Sequence, residues 1–383
     1  MEYRLDELFD LQMGKTPSRN NPEYWDSEDH KWISIGDLSK CGKYICETRE
    51  YLSDKAVAKS GISQIPANTV IMSFKLSIGK TAITPEPMYS NEAIMSFRDK
   101  RVVPLLPDYI FYMFSGRDWD AGTNKAVMGK TLNKATLSQI KIRVHSLPEQ
   151  QKIVRVLDKT AAIIEARQKE LQKLDELVKA RFVEMFGDTI LNPFGWKKDL
   201  LGTVCDVRDG THDSPQYYES GYPLVTSKNV TGGKIDLTDC SLICEADFKK
   251  ISERSKVDIG DIIMPMIGTV GKPVIVDIEP NFAIKNVSLI KFKADSRVLN
   301  IYIRALLQSD YFDDAVLSKV RGGTQKFISL GDIRKLEVLV PPMELQEQFA
   351  TFIKQTDKSK VVVQKALDEA QILFESLMQK YFG

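Results

Sequence analysis

The chain repeats itself once, at a shift of 191 to 197 residues, and this duplication limits the folds open to it more than any other feature. The clearest match joins two segments of helical pattern, since Met185-Phe186-Gly187 returns as Tyr381-Phe382-Gly383. The further matches are residues 68–80 with 260–272, residues 131–140 with 324–333, residues 34–38 with 226–230, and Gly14 with Gly210. Because the matches keep one order in both halves, the sequence predicts two domains that share one fold.

Each half divides into a β-rich part and a long helix. Short runs of β-branched and aromatic residues, broken by Gly, Pro and Asn, predict strands, with one helix inside each part at residues 107–114 and 299–309. A helical pattern then starts at Pro148 and Pro342 and continues to Gly187 and Gly383. The predicted divisions are a first globular domain at 1–148, a central helix at 149–187, a second globular domain at 188–342 and a C-terminal helix at 343–383.

Both long helices carry apolar residues alternately four and three positions apart, the spacing of a coiled-coil seam. Thr160 interrupts the first seam and Thr356 interrupts the second at the equivalent position. A seam interrupted at matched places favours two helices that pack on each other, antiparallel, with the domains related by a pseudo-two-fold axis. The predicted seam residues are Ile153, Leu157, Ile164, Leu171 and Leu174 in the central helix, and Phe349, Ile353, Leu367, Phe374 and Leu377 in the C-terminal helix.

Composition excludes several classes of protein. No run reaches 18 apolar residues, and the acidic, amphipathic start is unlike a signal peptide, so we expect a cytoplasmic protein with no membrane contact. The five cysteines do not suggest a disulfide framework. The two close pairs, Cys41/Cys46 and Cys240/Cys244, lack nearby His or Cys partners that would complete a zinc ligand set, so no metal site is expected. With a net charge of +1, any surface that binds nucleic acid has to be a local basic patch.

The two helix entries carry a resemblance to a known family. "LPEQQKIV" (147–154) opens the central helix, which ends in "MFGD" (185–188), and "PPMELQEQFA" (341–350) opens the C-terminal helix. This motif, repeated after about 190 residues and preceded each time by a β-rich domain, resembles the specificity subunit of type I restriction–modification systems. The resemblance covers essentially the whole chain.

That resemblance implies an α+β fold in which two target-recognition domains are joined by two long antiparallel helices. In the family, each domain reads one half of a split sequence in double-stranded DNA. The helices set the gap between the halves and dock two adenine methyltransferase subunits, and motor-nuclease subunits complete the restriction complex. No cofactor is expected on this chain, because S-adenosylmethionine, ATP and Mg²⁺ belong to the partner subunits.

Two kinds of loop in each domain suit contact with DNA. The first, at 13–20 and 209–216, offers a glycine followed by hydroxyl and basic side chains that can reach phosphates or base edges. The second, at 124–136 and 318–329, combines lysines with glycines that let backbone N–H groups approach a phosphate. The predicted DNA-binding residues are Lys15, Thr16, Ser18, Arg19, Lys125, Lys130, Thr131, Asn133 and Lys134 in the first domain, and Thr211, His212, Ser214, Lys319, Arg321, Gly323, Thr324, Gln325 and Lys326 in the second.

Two other classes of function compete with DNA reading. A DNA methyltransferase or nuclease needs a site, but His30, His145 and His212 fall in no metal or triad spacing, and no catalytic residue is predicted. The Asn192-Pro193-Phe194 segment has only part of the loop that adenine methyltransferases use, and reads as a turn. A coiled-coil adaptor without DNA reading would explain the helices but not the duplicated Gly/Lys loops.

Overall fold

The computed structural model describes residues 1–75, 77–119, 124–126, 129–267, 272–312, 314 and 327–383, and only the backbone at 124–126, 129–131 and 231. The chain divides into two compact units. Unit 1 comprises residues 1–168 and 365–383, and unit 2 comprises residues 169–364. Each unit therefore holds one β-rich domain, part of the central helix and part of the C-terminal helix.

Unit 1 is built on a four-stranded antiparallel sheet with smaller sheets and short helices around it. The large sheet has the spatial order β2 (Phe9–Met13), β8 (Ile94–Asp99), β5 (Thr69–Ser73), β6 (Thr81–Thr84). The smaller sheets are β4 (Glu50–Leu52), β3 (His30–Ile33), β7 (Tyr89–Ser90); β1 (Glu2–Arg4) with β11 (Lys141–Arg143); and β9 (Asn124–Ala126) with β10 (Gly129–Thr131). The helices are α1 (Leu5–Leu8), α2 (Ile35–Leu38), α3 (Asp54–Ser60), α4 (Pro107–Ser115) and α5 (Lys134–Ser138).

Unit 2 repeats the large sheet, the three-stranded sheet and the pair of terminal strands, whereas its two-stranded hairpin stands at a different place in the repeat. Its large sheet has the order β13 (Asp206–Asp209), β21 (Val287–Lys291), β18 (Ile262–Pro265), β19 (Val274–Ile275). The smaller sheets are β17 (Ser241–Ile243), β14 (Tyr222–Val225), β20 (Ala283–Ile284); β12 (Lys197–Leu200) with β22 (Glu337–Val340); and β15 (Val230–Thr231) with β16 (Lys234–Ile235). The short helices are α7 (Leu201–Val204), α8 (Glu245–Ser255), α9 (Asn300–Leu307), α10 (Asp310–Phe312) and α11 (Leu330–Arg334).

The strand order confirms that both β-rich parts share one fold. In each unit the large sheet holds the corresponding strands in the same order, β2-β8-β5-β6 and β13-β21-β18-β19, and a parallel pair, β3–β7 or β14–β20, recurs inside otherwise antiparallel sheets. The central strands β5 and β18 are buried along their whole length, as expected of "TVIMS" and "IIMP", which are apolar on both faces. The helices predicted at 107–114 and 299–309 are present as α4 and α9.

Two forty-residue helices, α6 (Leu147–Phe186) and α12 (Met343–Phe382), complete the fold. At the start of α6, the Glu149 carboxylate accepts hydrogen bonds from the Ser146 N–H and hydroxyl, at 3.1 and 2.8 Å. The same helix ends at Gly187, which has a φ of +79° and donates its N–H to the Val183 carbonyl at 2.8 Å. These are the capping contacts that a helix of this length needs at its two ends.

The predicted seam residues are the less exposed residues of both helices. Ile153, Leu157, Phe349, Ile353 and Leu367 are buried. The remaining predicted seam residues, Ile164, Leu171, Leu174, Phe374 and Leu377, are half-buried. In unit 1 the start of α6 shares a core with the end of α12, and in unit 2 the end of α6 shares a core with the start of α12. The two helices are therefore antiparallel in both units, as the sequence predicts.

A buried glutamine fastens each long helix to its domain. The Gln150 Oε1 accepts a hydrogen bond from the Leu106 N–H at 3.0 Å, and its Nε2 donates to the Pro104 and His145 carbonyls at 2.9 and 3.0 Å. Gln346 repeats this arrangement in unit 2 with the residue before α9 and two carbonyls. Both side chains are fully buried, and they tie the N-terminus of α4 or α9 to the first turn of the long helix.

Candidate nucleic-acid interface

The large sheet of each unit brings the first predicted loop to one edge. Because β2 and β5 are both antiparallel to β8, they run in the same direction, and Met13 and Ser73 end at the same edge. The strands β13 and β18 end together in the same way, at Asp209 and Pro265. The loops at 14–19 and 210–214 therefore leave equivalent positions in the two units.

The second predicted loop returns to that same edge. In unit 1 the N–H of Leu132 donates to the carbonyl of Phe74, directly after β5, at 3.1 Å. In unit 2 the N–H of Ile328 donates to the carbonyl of Met266, directly after β18, at 3.0 Å. In each unit this sheet edge therefore brings together the first predicted loop and the end of the second predicted loop, although the two are more than 100 residues apart along the chain.

The structure describes only part of this second loop. In unit 1 it forms the β9–β10 hairpin, whose backbone carries Lys125, Lys130 and Thr131. In unit 2 the predicted residues Lys319, Arg321, Gly323, Thr324, Gln325 and Lys326 lie outside the residues that the structure describes.

Gly14 and Gly210 hold the first loop against the sheet. The N–H of Gly14 donates to the Ile94 carbonyl at 3.2 Å, and the N–H of Gly210 donates to the Val287 carbonyl at 2.9 Å. A side chain at either glycine would collide with the backbone of the neighbouring strand, so the residue has to be glycine in both units. The recurrence of this close approach explains why the two glycines align in the sequence.

In unit 1 the loop presents an arginine held flat between aromatic and acidic groups. The Arg19 guanidinium lies 3.8 Å from the centroid of the Trp25 ring, and its two terminal nitrogens donate to the carboxylate of Glu50, one of them at 3.1 Å. The Trp25 indole in turn donates to the carbonyl of Ser18 at 3.1 Å. Stacking and a bidentate ion pair fix the guanidinium plane, and a contact of Arg19 with a base edge or a phosphate stays a prediction that has to compete with Glu50.

The other side chains of this loop are also engaged. The hydroxyl of Thr16 donates to the carboxylate of Glu92, and that hydrogen bond lowers the pKa of Glu92. The ammonium of Lys15 donates to the carbonyl of Ser60, at the end of α3. Acidic Glu50 and Glu92 therefore stand beside basic Lys15 and Arg19, and the charges of this loop partly offset one another.

In unit 2 the equivalent loop carries a histidine between two acceptors. One ring nitrogen of His212 lies 2.9 Å from the Oδ1 of Asn286, and the other lies 2.9 Å from the buried carboxylate of Asp209. Arg254 binds the same carboxylate, and Lys285 donates to the hydroxyl of Ser214 at 2.8 Å. Two acceptors facing the two ring nitrogens favour the doubly protonated imidazolium, which adds a positive charge beside Thr211.

We expect His212 to titrate above its ordinary range. The hydrogen bonds to Asn286 and Asp209 raise its pKa, so the stabilisation they give is present at low pH and is lost as pH rises through the raised value. Titration of the imidazole resonances by NMR should give a midpoint above about 6.5 for His212. The midpoint should fall in the Asp209→Asn variant and stay unchanged in Asp213→Asn. A midpoint at or below the ordinary value would contradict this.

Asn133 and Lys134 stand at the start of α5. The Asn133 Oδ1 accepts from the Thr136 N–H at 2.7 Å and caps the helix, so a bidentate contact of this amide with adenine stays a prediction that has to compete with the cap. Ser329 caps α11 in the same way. The equivalent of Asn133 is thus Ser329, and the sequence alignment of 131–140 with 324–333 is wrong by three residues.

Several residues at these edges were not predicted from the sequence. They are Trp25, Glu50 and Glu92 in unit 1, Arg254, Lys285 and Asn286 in unit 2, and the two glutamines that fasten the long helices. Only the glutamines left a signal, since Gln150 and Gln346 recur at the shift of 196 inside the helix-entry motif. Nothing local marks the others, since Trp25 lies in a turn six residues after Arg19 and the rest are more than 30 residues from their partners along the chain.

Within the described part of the chain there is no group of three or more His, Cys, Asp or Glu side chains arranged to hold a metal ion. His30 pairs with Asp54, and His145 bonds the hydroxyl of Tyr109. None of the helices described here is long and apolar enough to cross a membrane.

Comparison with known proteins agrees with this geometry. The family model for the type I restriction modification DNA specificity domain matches residues 1–176 and again 193–370. The chain therefore belongs to the type I restriction–modification specificity family, with two copies of the domain. Its role is DNA sequence specificity shared between two domains, and it is a non-catalytic component of the restriction–modification complex.

Relatives and solved structures extend over the whole chain. The MjaIX specificity subunit of Methanocaldococcus jannaschii is 25% identical over 98% of this chain and 91% of its own length. The EcoR124I/EcoR124II specificity subunit of Escherichia coli is 29% identical over 44% of this chain and 43% of its own length. The S subunit from M. genitalium has the same fold, with a TM-score of 0.57 and 13% identity over 100% of this chain and 96% of that one. A chain from a structural study of type I system assembly gives a TM-score of 0.60 at 17% identity, covering 100% and 97%.

Proposed function

We propose that each unit of this chain reads one half of a bipartite target in double-stranded DNA. The observation that carries this is the common sheet edge, where the loop held by Gly14 or Gly210 meets the segment anchored by Leu132 or Ile328. The predicted DNA-binding residues flank these anchors in both units. Each of the two domains carries one copy of this surface, which suits a target with two separate halves.

We further propose that the long helices dock two adenine methyltransferase subunits in the cytoplasm, and that motor-nuclease subunits join them. S-adenosylmethionine, ATP and Mg²⁺ would then bind the partners alone. Support comes from large apolar side chains that α6 and α12 leave exposed, Ile163, Leu177, Val361, Val362 and Ile372, each at least 48% exposed. Apolar surface of this extent on a helix favours a protein partner.

The DNA surface is tested by removing charge at the predicted edge and at the opposite edge of the same sheet. Affinity for duplex target DNA should fall about 10- to 30-fold in a Lys15→Ala/Arg19→Ala variant assembled with its methyltransferase partner. The slope of log affinity against log salt should become shallower by up to about two, because two cations no longer displace counterions. Fluorescence anisotropy over a salt series measures both quantities.

The chain supplies a matched control in each unit. Lys100 and Lys293 are exposed lysines just beyond the far ends of β8 and β21, at the sheet edge opposite the loops. Lys100→Ala and Lys293→Ala should bind as the wild type does, whereas Lys285→Ala should weaken binding. Equal losses at both edges, or none at the predicted edge, would refute the assignment of the surface.

A further inference from the structure

Unit 2 contains a cavity of about 720 Å³ that the DNA-reading role does not use. It lies between α9 and the two long helices. Its apolar floor is formed by Val178, Phe182, Leu307 and Ile353. Around it stand three ion pairs, Lys360–Asp175 at 2.6 Å, Lys179–Asp310 at 3.6 Å and Arg304–Asp357 at 3.7 Å.

The internal repeat shows what fills the equivalent place in unit 1. Tyr109 and Tyr302 are equivalent, because each hydroxyl donates to the backbone carbonyl of β11 or of β22 at the corresponding position. Counting three residues on, Tyr112 is equivalent to Ala305, which lines the cavity. The Tyr112 ring packs 6.2 Å from the ring of Phe374, whose equivalent in unit 2 is Val178.

A lysine and two aspartates hold Tyr112 in place in unit 1. The Lys43 ammonium lies 4.9 Å from the centroid of the Tyr112 ring and binds the carboxylates of Asp108 and Asp158 at 2.5 and 2.7 Å. The Tyr112 hydroxyl donates to Asp158 at 2.6 Å. The equivalents of Tyr112, Asp108 and Asp158 in unit 2 are Ala305, Ile301 and Lys354. At these positions unit 2 therefore has neither the aromatic ring nor the two carboxylates that hold it in unit 1.

The lining of the cavity suits an uncharged aromatic ring. Its floor is apolar, and its described lining carries four aspartates beside four cations. Lys179, Arg304 and Lys360 each already face one of these aspartates, so the lining has no net positive charge to attract a phosphate or other anion, which would have to displace an acid at three of the four cations. A ring edge or a tyrosine hydroxyl can meet the polar rim while the ring face covers the floor. This is how Tyr112 is bound in unit 1.

Exposed apolar side chains at the mouth point to a protein as the source of that ring. Val183, which lines the cavity, is 54% exposed, and Ile190 and Leu191, just after the lining residue Thr189, are 54% and 78% exposed. A free small molecule would fill the cavity and leave these residues in water. A partner chain that inserts one aromatic anchor would also cover the mouth.

We propose that this cavity receives an aromatic side chain of the methyltransferase partner, in the place that Tyr112 fills in unit 1. The inference rests on the proposed docking of two methyltransferase subunits and adds that their two sites differ. The site on unit 2 gains a buried aromatic anchor, whereas in unit 1 the chain's own Tyr112 fills the equivalent place. The first methyltransferase subunit therefore binds at unit 2.

Filling the cavity with the residue that unit 1 uses tests this directly. In the full chain, Ala305→Tyr should weaken the tighter of two methyltransferase binding steps by about 10- to 100-fold, the loss expected when an aromatic anchor stays exposed. Isothermal titration calorimetry and native mass spectrometry follow the two steps. Ala246→Tyr, which places the same side chain on exposed α8 outside the cavity lining, should leave both steps unchanged.

A second variant guards against misfolding. Val183→Glu charges the mouth of the cavity without touching the buried core and should weaken the same step. Wild-type affinities in both variants would overturn the proposal while leaving partner docking intact. The proposal would also be overturned if the two variants lost only DNA binding, or if they dissociated a dimer of this chain while methyltransferase binding stayed unchanged. Failure of the wild-type chain to bind any methyltransferase would instead overturn the proposed docking itself, and this inference with it.

Discussion

Replacing Gln346 by leucine should lower the free energy of unfolding of unit 2 by about 3 to 5 kcal/mol. The Gln346 side chain is fully buried and makes three hydrogen bonds, with the Leu299 N–H at 2.8 Å, the Arg297 carbonyl at 3.0 Å and the Pro341 carbonyl at 2.9 Å. Leucine has nearly the same size but leaves the backbone partners of one buried and two part-buried hydrogen bonds unsatisfied, at about 1 to 3 kcal/mol each. Calorimetry should show the unfolding midpoint of that unit lowered by roughly 10 °C.

The repeat and the helix surface provide the controls. Gln150→Leu should destabilise unit 1 by a similar amount, because its three bonds are the same. The neighbouring Glu347 is exposed on the same helix turn, and Glu347→Ala should change stability by less than about 0.5 kcal/mol. If the free energy of unfolding fell by less than about 1 kcal/mol in both glutamine variants, water would be replacing the lost hydrogen bonds, and the buried glutamines would not hold the long helices to their domains.

Exchanging residues 188–342 for the corresponding domain of another specificity subunit should change one half of the DNA target and leave the other half alone. The ends of this segment are joined by the β12–β22 pair, in which Lys197 lies opposite Val340, so a foreign domain can enter and leave on neighbouring strands. The loop at 210–214 and its anchors are all inside the exchanged segment. Mapping of methylated adenine across the genome of a strain carrying the chimera gives both half-sites at once.

The reciprocal exchange of residues 1–148 is the matched control. It should change the half-site that the first chimera preserves. Because residues 149–187 and 343–383 are kept in both chimeras, the number of base pairs between the halves should stay constant. A chimera in which both halves change together would show that the two domains do not read independently.

The sequence predicts the architecture of this chain well because duplication and apolar periodicity are local signals. The match of 68–80 with 260–272 identifies the buried strands β5 and β18, and the four–three spacing from Ile153 onward identifies the helix that packs in both cores. Each of these patterns follows from which side chains must leave water.

The sequence does not predict the correct alignment of the two repeats where hydrogen bonds between distant residues determine it. The alignment of 131–140 with 324–333 is three residues out, because polar residues before a short helix constrain its start weakly. The true register comes from the bonds of Leu132 to Phe74 and of Ile328 to Met266. The equivalence of Tyr112 and Ala305 likewise depends on the structure. It follows from the matching hydrogen bonds of Tyr109 to β11 and of Tyr302 to β22.

Genome-wide mapping of methylated adenine, in strains with and without this chain, tests the central claim most directly. If each unit reads half of a bipartite target, one methylated motif should disappear with the chain. That motif should consist of two short defined sequences separated by a fixed number of undefined base pairs. A single continuous motif, or a methylation pattern that does not change when the chain is removed, would contradict the account.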